Sequence, residues 1–168
     1  MKLEDKVAIV TGAGRNIGEA IANRLADEGA KIAVVDLDGA RARAVADAIV
    51  AAGGEAVGLV ADVADEDAVK GLIADTVAAL GRIDILVNNV AISDNKHILE
   101  ITKEEWDRVM AVTLGAPFLM GKYCAHQMVA QGSGGNFFYI ASTSGWRGRP
   151  LELAYTAAKG GVMAMEAS

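Results

Sequence analysis

The chain has 168 residues, a formal charge of −6 and 52% apolar residues, with aromatics at only 5%. That length holds one domain with a sizeable core, and that composition favours a soluble α/β protein over a disordered one. The acidic balance, with no basic cluster, argues against a nucleic-acid surface. No apolar run reaches the length of a membrane span, and Glu4 and Asp5 directly after Lys2 and Leu3 leave no apolar core for a secretion signal. A cytoplasmic protein is the expectation. The single cysteine, Cys124, cannot form an internal disulfide and reads as a buried small apolar residue.

Strand and helix signals alternate along the chain. Lys6–Val10 and Lys31–Val35 are short β-branched runs, the pattern of strands buried on both faces. Between them Ile17, Ile21 and Leu25 recur every four residues, and Gly29 stops the helix. A second helix follows Gly39, with Val45, Ile49 and Ala52 inward, and Ala56–Val60 reads as strand three. Asp65-Glu66-Asp67 opens a third helix, where the dipole favours negative charge, and Gly81 ends it. Ile83–Val87 is strand four. Thr102-Lys103-Glu104-Glu105 is a capping box, and Pro117 is expected to break or kink the following helix near Gly115 before it ends at about Ala130. Gln131–Gly135 reads as a loop and Phe137–Ala141 as strand five, and the chain from Leu153 onward reads as helical. Right-handed β-α-β crossovers make this a doubly wound parallel sheet, a Rossmann-like α/β domain spanning residues 1–168. A full sheet of that kind has the order 3-2-1-4-5-6. Only five strands are found, so the sequence reads as truncated after strand five and part of the following helix.

Chemistry concentrates in two places. The first is the turn Thr11-Gly12-Ala13-Gly14-Arg15-Asn16-Ile17-Gly18, between a strand and a helix. Glycines there let backbone approach a pyrophosphate, whose charge meets the helix N-terminus. Asn16 sits within the turn, and asparagine tolerates left-handed geometry better than most residues. Asp36 ends strand two, placed to accept both ribose hydroxyls of NAD and to repel the 2′-phosphate of NADP. Arg15 pulls the other way, since a guanidinium can pair with that phosphate. The second place is Ala154-Tyr155-Thr156-Ala157-Ala158-Lys159. Positions i and i+4 share one helix face, so an ammonium lies beside a phenol and favours its ionised form. Such a pair can trade protons near neutral pH. Neither His97 nor His126 lies in a turn that would aim it at a serine, which argues against a Ser-His-Asp hydrolase.

The order of these motifs, from the glycine turn to Ser, Tyr and Lys, resembles the classical short-chain dehydrogenase/reductase family, from about Lys6 to the last residue. The resemblance implies a cofactor site of Gly12, Gly14, Arg15, Asn16, Ile17, Gly18, Asp36, Asp62, Val63, Asn88, Tyr155 and Lys159, with NAD preferred over NADP. Asp62-Val63 would meet the adenine. Asn88-Asn89-Val90-Ala91 is similar to the family's Asn-Asn-Ala-Gly, with bulkier Val90 and Ala91. Ile140-Ala141-Ser142-Thr143-Ser144-Gly145 is similar to the family's serine segment. Ser142 would hold the substrate oxygen, Tyr155 would exchange its proton, and Lys159 would serve both the phenol and the nicotinamide ribose. No metal is implied. Thr113, in Val112-Thr113-Leu114, stands where the family has an asparagine that helps hold a relay water. One hydroxyl is expected to fall short of an amide's inventory, so the relay is weakened or its water is held differently. Loop residues Ile92, Ser93, Trp146 and Arg147 are candidates to approach substrate. The family likeness further implies a small-molecule secondary alcohol or ketone as substrate, and a homodimer or homotetramer. Small and apolar residues Ala157, Ala158, Gly160, Gly161, Val162 and Ala164 would permit close approach of a second copy's helix. Two alternatives stay open: a dinucleotide-binding protein without catalysis, and an NADP-dependent ketone reductase.

Overall fold

The computed structural model describes residues 1–166. Five parallel strands form one sheet in the order β3-β2-β1-β4-β5. They are β1 (Val7–Thr11), β2 (Lys31–Asp36), β3 (Ala56–Val60), β4 (Ile85–Asn88) and β5 (Asn136–Tyr139). Helices α1 (Asn16–Asp27), α2 (Gly39–Ala51) and α3 (Glu66–Leu80) supply the first crossovers. Then come α4 (Lys103–Met110), α5 (Ala116–Ala130) and α6 (Leu153–Glu166). The last two residues, expected to continue the final helix, lie outside the described residues.

Both sheet faces are covered, which is why β1 and β2 read as continuous apolar runs. Ile9, Ala33, Val35 and Leu86 pack on one side with Val69, Leu72, Met120, Cys124 and Met128 of α3 and α5. Ala8, Val10, Ile32, Val34, Ile85 and Val87 pack on the other with Ala22, Val45, Ala46 and Ile49 of α1 and α2. Each strand alternates between the two layers, as the two-residue period of a pleated strand requires. Burial pushes the Cys124 thiol up to about 12, consistent with its place in the core.

Helix starts follow their sequence signals. Asp38 and Asp65 cap α2 and α3, and Thr102 with Glu105 forms the reciprocal capping box of α4. Two expectations need correction, at Ala52 and at the start of strand four. Ala52 is exposed just past α2, and Ala42 and Ala46 take the inward positions instead. The expected interruption near Gly115, with two helical pieces, is present. A π-helical turn, Ala111–Gly115, joins α4 to α5, and Pro117 sits in the first turn of α5, where a missing N–H costs no bond. Strand four begins at Ile85 rather than Ile83, because Ile83 pairs with a side chain: its N–H donates to Gln131 Oε1 at 3.2 Å and its carbonyl accepts Gln131 Nε2.

The small residues of α6 divide between two faces. Ala154, Ala158 and Val162 are buried within the molecule. A side chain at Gly161 would meet Leu114 at 2.9 Å. Ala157 and Ala164 are exposed.

Candidate active site

The glycine turn leaves β1 and enters α1 in a shape only some residues accept. Gly12 has φ +62° and Asn16 has φ +53°, so asparagine does adopt the left-handed conformation in place of glycine. At Gly18 a Cβ would overlap the Gly12 carbonyl oxygen and lie 2.7 Å from Asn89 Nδ2. The turn is tied to the end of β4. Asn89 donates from Nδ2 to the carbonyls of Thr11 and Gly12 at 3.0 and 3.2 Å, and its N–H donates to Thr11 Oγ1 at 3.0 Å. Unlike α2, α3 and α4, α1 has no side-chain cap on its first-turn N–H groups.

Asp36 closes the other side. Its Oδ2 accepts the Gly14 N–H and its Oδ1 accepts the Asp38 N–H, each at 3.0 Å. The carboxylate therefore shapes the glycine turn as well as facing the cleft. That cleft has a volume of about 1030 Å³, the upper range of small-molecule sites. Gly12, Arg15, Asn16, Ile17, Gly18, Asp36, Asp62 and Val63 all line it. Gly14 lies behind, under Asp36 and Arg41. Asn88 does not line it; it is buried at the end of β4, and its Nδ2 has no hydrogen-bond partner. Asn89 lines the cleft in its stead.

Sequence reasoning missed the far wall: Leu37, Arg41, Arg108, Ala111 and Val112. Only folding brings α2 and the α4–π turn to the glycine turn, and no local pattern marks them. The residues present fit a dinucleotide. A cradle closed to side chains, an uncapped helix start and an acid at the end of β2 converge on one cleft.

The reaction end is built where β5 meets α6. Ser142 opens a 3₁₀ turn, Thr143–Gly145, and its Oγ accepts the Ser144 N–H at 3.2 Å. Gly145 lies against the α6 backbone, where a Cβ would sit 2.6 Å from the Lys159 carbonyl carbon. The serine segment is thus pressed onto the helix that carries Tyr155 and Lys159. Ser144 is fully buried and donates to Glu152 at 3.1 Å, which gives it a structural role. Lys159 is buried, and its ammonium donates to the Ile140 carbonyl and lies 5.8 Å from the centre of the Tyr155 ring. Burial pushes its pKa below the usual lysine value. That carbonyl bond also explains why β5 ends at Tyr139: Ile140 still donates to Asn88, but its oxygen turns to the lysine.

Thr113 is buried in the π turn, and its hydroxyl is held by backbone. Its Oγ1 accepts the Ile92 N–H at 3.1 Å and donates to the Ile92 carbonyl at 2.9 Å. One hydroxyl supplies both halves of an amide-like pair, because it is donor and acceptor at once. Trp146 and Arg147 are exposed beyond the serine turn.

This fold is a Rossmann-like α/β sheet, and the chain belongs to the short-chain dehydrogenase family, whose model matches residues 6–168. It is 38% identical over its whole length to a sorbitol dehydrogenase of Cereibacter sphaeroides, and 39% identical over 97% of its length to a galactitol 2-dehydrogenase of Agrobacterium fabrum. An uncharacterized oxidoreductase of Thermotoga maritima is 39% identical over the same share. The chain spans 64%, 62% and 63% of those three proteins respectively. The crystal structure of a short chain dehydrogenase from Mycobacterium smegmatis superposes with a TM-score of 0.95 at 36% identity, over 98% of this chain and 69% of that one. Among the described residues no helix is long and apolar enough to cross a membrane, and no acidic, histidine or cysteine cluster could hold a metal.

Proposed function

We propose that the chain serves an oxidoreductase that moves a hydride between NAD(H) and a secondary alcohol or its ketone. The observation that carries this is the buried Lys159 ammonium set beside the Tyr155 ring, in a molecule whose glycine turn is closed by Asp36. The bound nicotinamide supplies the hydride chemistry. The chain's own residues supply position and the proton. The Gly12–Gly18 turn and the start of α1 hold the pyrophosphate. Asp36 accepts the adenosine ribose hydroxyls, and Asp62 and Val63 flank the adenine. The Ser142 hydroxyl donates to the substrate oxygen. Tyr155 takes the alcohol proton at its phenol oxygen, or returns it to a ketone. Lys159 places positive charge beside that oxygen and donates to the nicotinamide ribose. Thr113 holds the π turn against Ile92, which lines the cleft.

Polyols are the substrates to try first, since two relatives are named for sorbitol and galactitol. A homodimer or homotetramer is proposed as well. Phe118 and Val129 of α5 are 52% and 80% exposed, and sedimentation at high concentration tests the assembly. Arg15 and Arg41 beside Asp36 favour a second reading, an NADP-linked reductase. Calorimetric titration of NAD and NADP, followed by turnover on a panel of alcohols and ketones, separates the two. Tyr155→Phe keeps the ring and removes the phenolic proton, so turnover is expected to fall by roughly 10²–10⁴-fold with NAD affinity little changed. Wild-type turnover in that variant overturns the proton route.

A further inference from the structure

Asp94 lies in the segment that leaves β4, outside every role assigned so far. Its carboxylate is buried, with the residue 7% exposed. Oδ1 accepts the N–H of Tyr155 at 2.9 Å and Oδ2 accepts the N–H of Ala154 at 3.2 Å. Both donors belong to the first turn of α6, whose N–H groups have no partner within the helix. A carboxylate is the favoured acceptor there, because the helix dipole is positive at that end. The residue preceding α6 does not supply it: the Glu152 carboxylate is turned to Ser144 and Arg149. The acceptor comes instead from about sixty residues earlier in the chain.

The same segment is fastened at two further points. Ile92 exchanges both of its backbone hydrogen bonds with Thr113, and Lys96 pairs in parallel with Glu152 through a single β-bridge. Residues 92–96 therefore bridge the π turn of one layer to the start of α6. Only one side chain in that bridge holds the backbone of Tyr155 itself. A bond to a residue's own N–H sets where its Cα stands, and the phenol swings from that point.

We infer that Asp94 is the positioning residue of Tyr155, on the reading above that Tyr155 carries the substrate proton. Asp94 touches neither substrate nor cofactor. It fixes the first turn of α6, from which the Tyr155 side chain extends.

The experiment compares Asp94→Ala, which removes both acceptors, with Asp94→Asn, whose amide oxygen keeps one. Thermal melting identifies a temperature at which each variant is folded. The protein is labelled with ¹³C at the tyrosine ring, and the Tyr155 signal is assigned by its loss in Tyr155→Phe. In Asp94→Ala the Tyr155 signal is expected to shift while those of Tyr123 and Tyr139 stay. The kcat is expected to fall ~10-fold or more, within the range that a displacement of about 1 Å can cost, with the Kd for NAD within about twofold of wild type. Asp94→Asn is expected to lie between the two, and it carries the test if Asp94→Ala does not fold. A merely structural role lowers the melting temperature and leaves kcat and the Tyr155 signal of the folded protein alone, and that result overturns the inference. If Tyr155→Phe retains wild-type turnover, the proton route is wrong, and the ring signal alone then decides whether Asp94 positions Tyr155.

Discussion

Thr113→Val tests how the cleft wall is held. Valine keeps the shape of threonine and removes the hydroxyl, so two hydrogen bonds to Ile92, at 3.1 and 2.9 Å, are lost with little change in volume. Threonine here is fully buried, and the valine methyl fills the space where water would otherwise replace the hydroxyl. At about 1 kcal/mol net per neutral hydrogen bond, the loss comes to about 2 kcal/mol. For a chain of this size each kcal/mol moves Tm by roughly 2–4 °C, so a drop of about 4–8 °C is expected. Thermal unfolding followed by circular dichroism, without cofactor, reads it directly. A urea series should move the midpoint without changing the slope, because the folded state stays as compact. Because Ile92 lines the cleft, NAD affinity is expected to weaken severalfold as well. Thr113→Ser restores the hydroxyl and should recover most of both effects. A valine variant that melts within about 1 °C of wild type would show that these bonds hold nothing, since the expected shift is several times larger.

Asp36→Ala should narrow the preference for NAD over NADP, and should also weaken both cofactors, since the Gly14 and Asp38 N–H groups lose their acceptor; an unchanged affinity ratio in calorimetry contradicts this. Burial holds the folded-state pKa of Lys159 below the lysine value of 10.5, so the unfolded chain binds more protons in between. That contribution opposes folding at neutral pH and is relieved as pH rises from the lowered pKa toward 10.5. The stability difference between Lys159→Met and wild type should therefore shift in favour of wild type across that window, and denaturant midpoints that move in parallel would refute it. Cys124, with its thiol pushed up to about 12, should resist aromatic disulfide reagents at pH 8 in the folded protein and react at once in denaturant.

Local features were the most legible in the sequence. The runs that became β1 and β2, the capping box at Thr102 and the left-handed Asn16 each depend on a few neighbouring residues. What escaped depends on distance. Asp94 looks like an ordinary loop acid until folding places it at the start of α6. Arg108 and Val112 carry no periodic signal for the cleft they line. Pro117 marked the interruption near Gly115, but that it takes the form of a π turn was not legible, since proline signals a lost bond and not how the chain accommodates it. That both bonds of the Thr113 hydroxyl go to the Ile92 backbone depends on a contact between segments about twenty residues apart, which no local pattern shows.

The Gln131 side chain has a consequence for how the sheet aligns. Its amide presents a carbonyl and an NH₂ to the backbone of Ile83, just as a neighbouring strand would, and Gln127 and Ser133 steady it from either side. Beyond it, a short glycine-containing loop leads into β5, where Ile85 stands opposite Asn136. A slip of β4 by one residue would exchange the layers of Ile85 and Leu86 and replace Ile83 opposite the amide with a residue whose N–H and carbonyl face the other way. The glutamine thus acts as a key for β4, admitting one alignment of the strand beside β5.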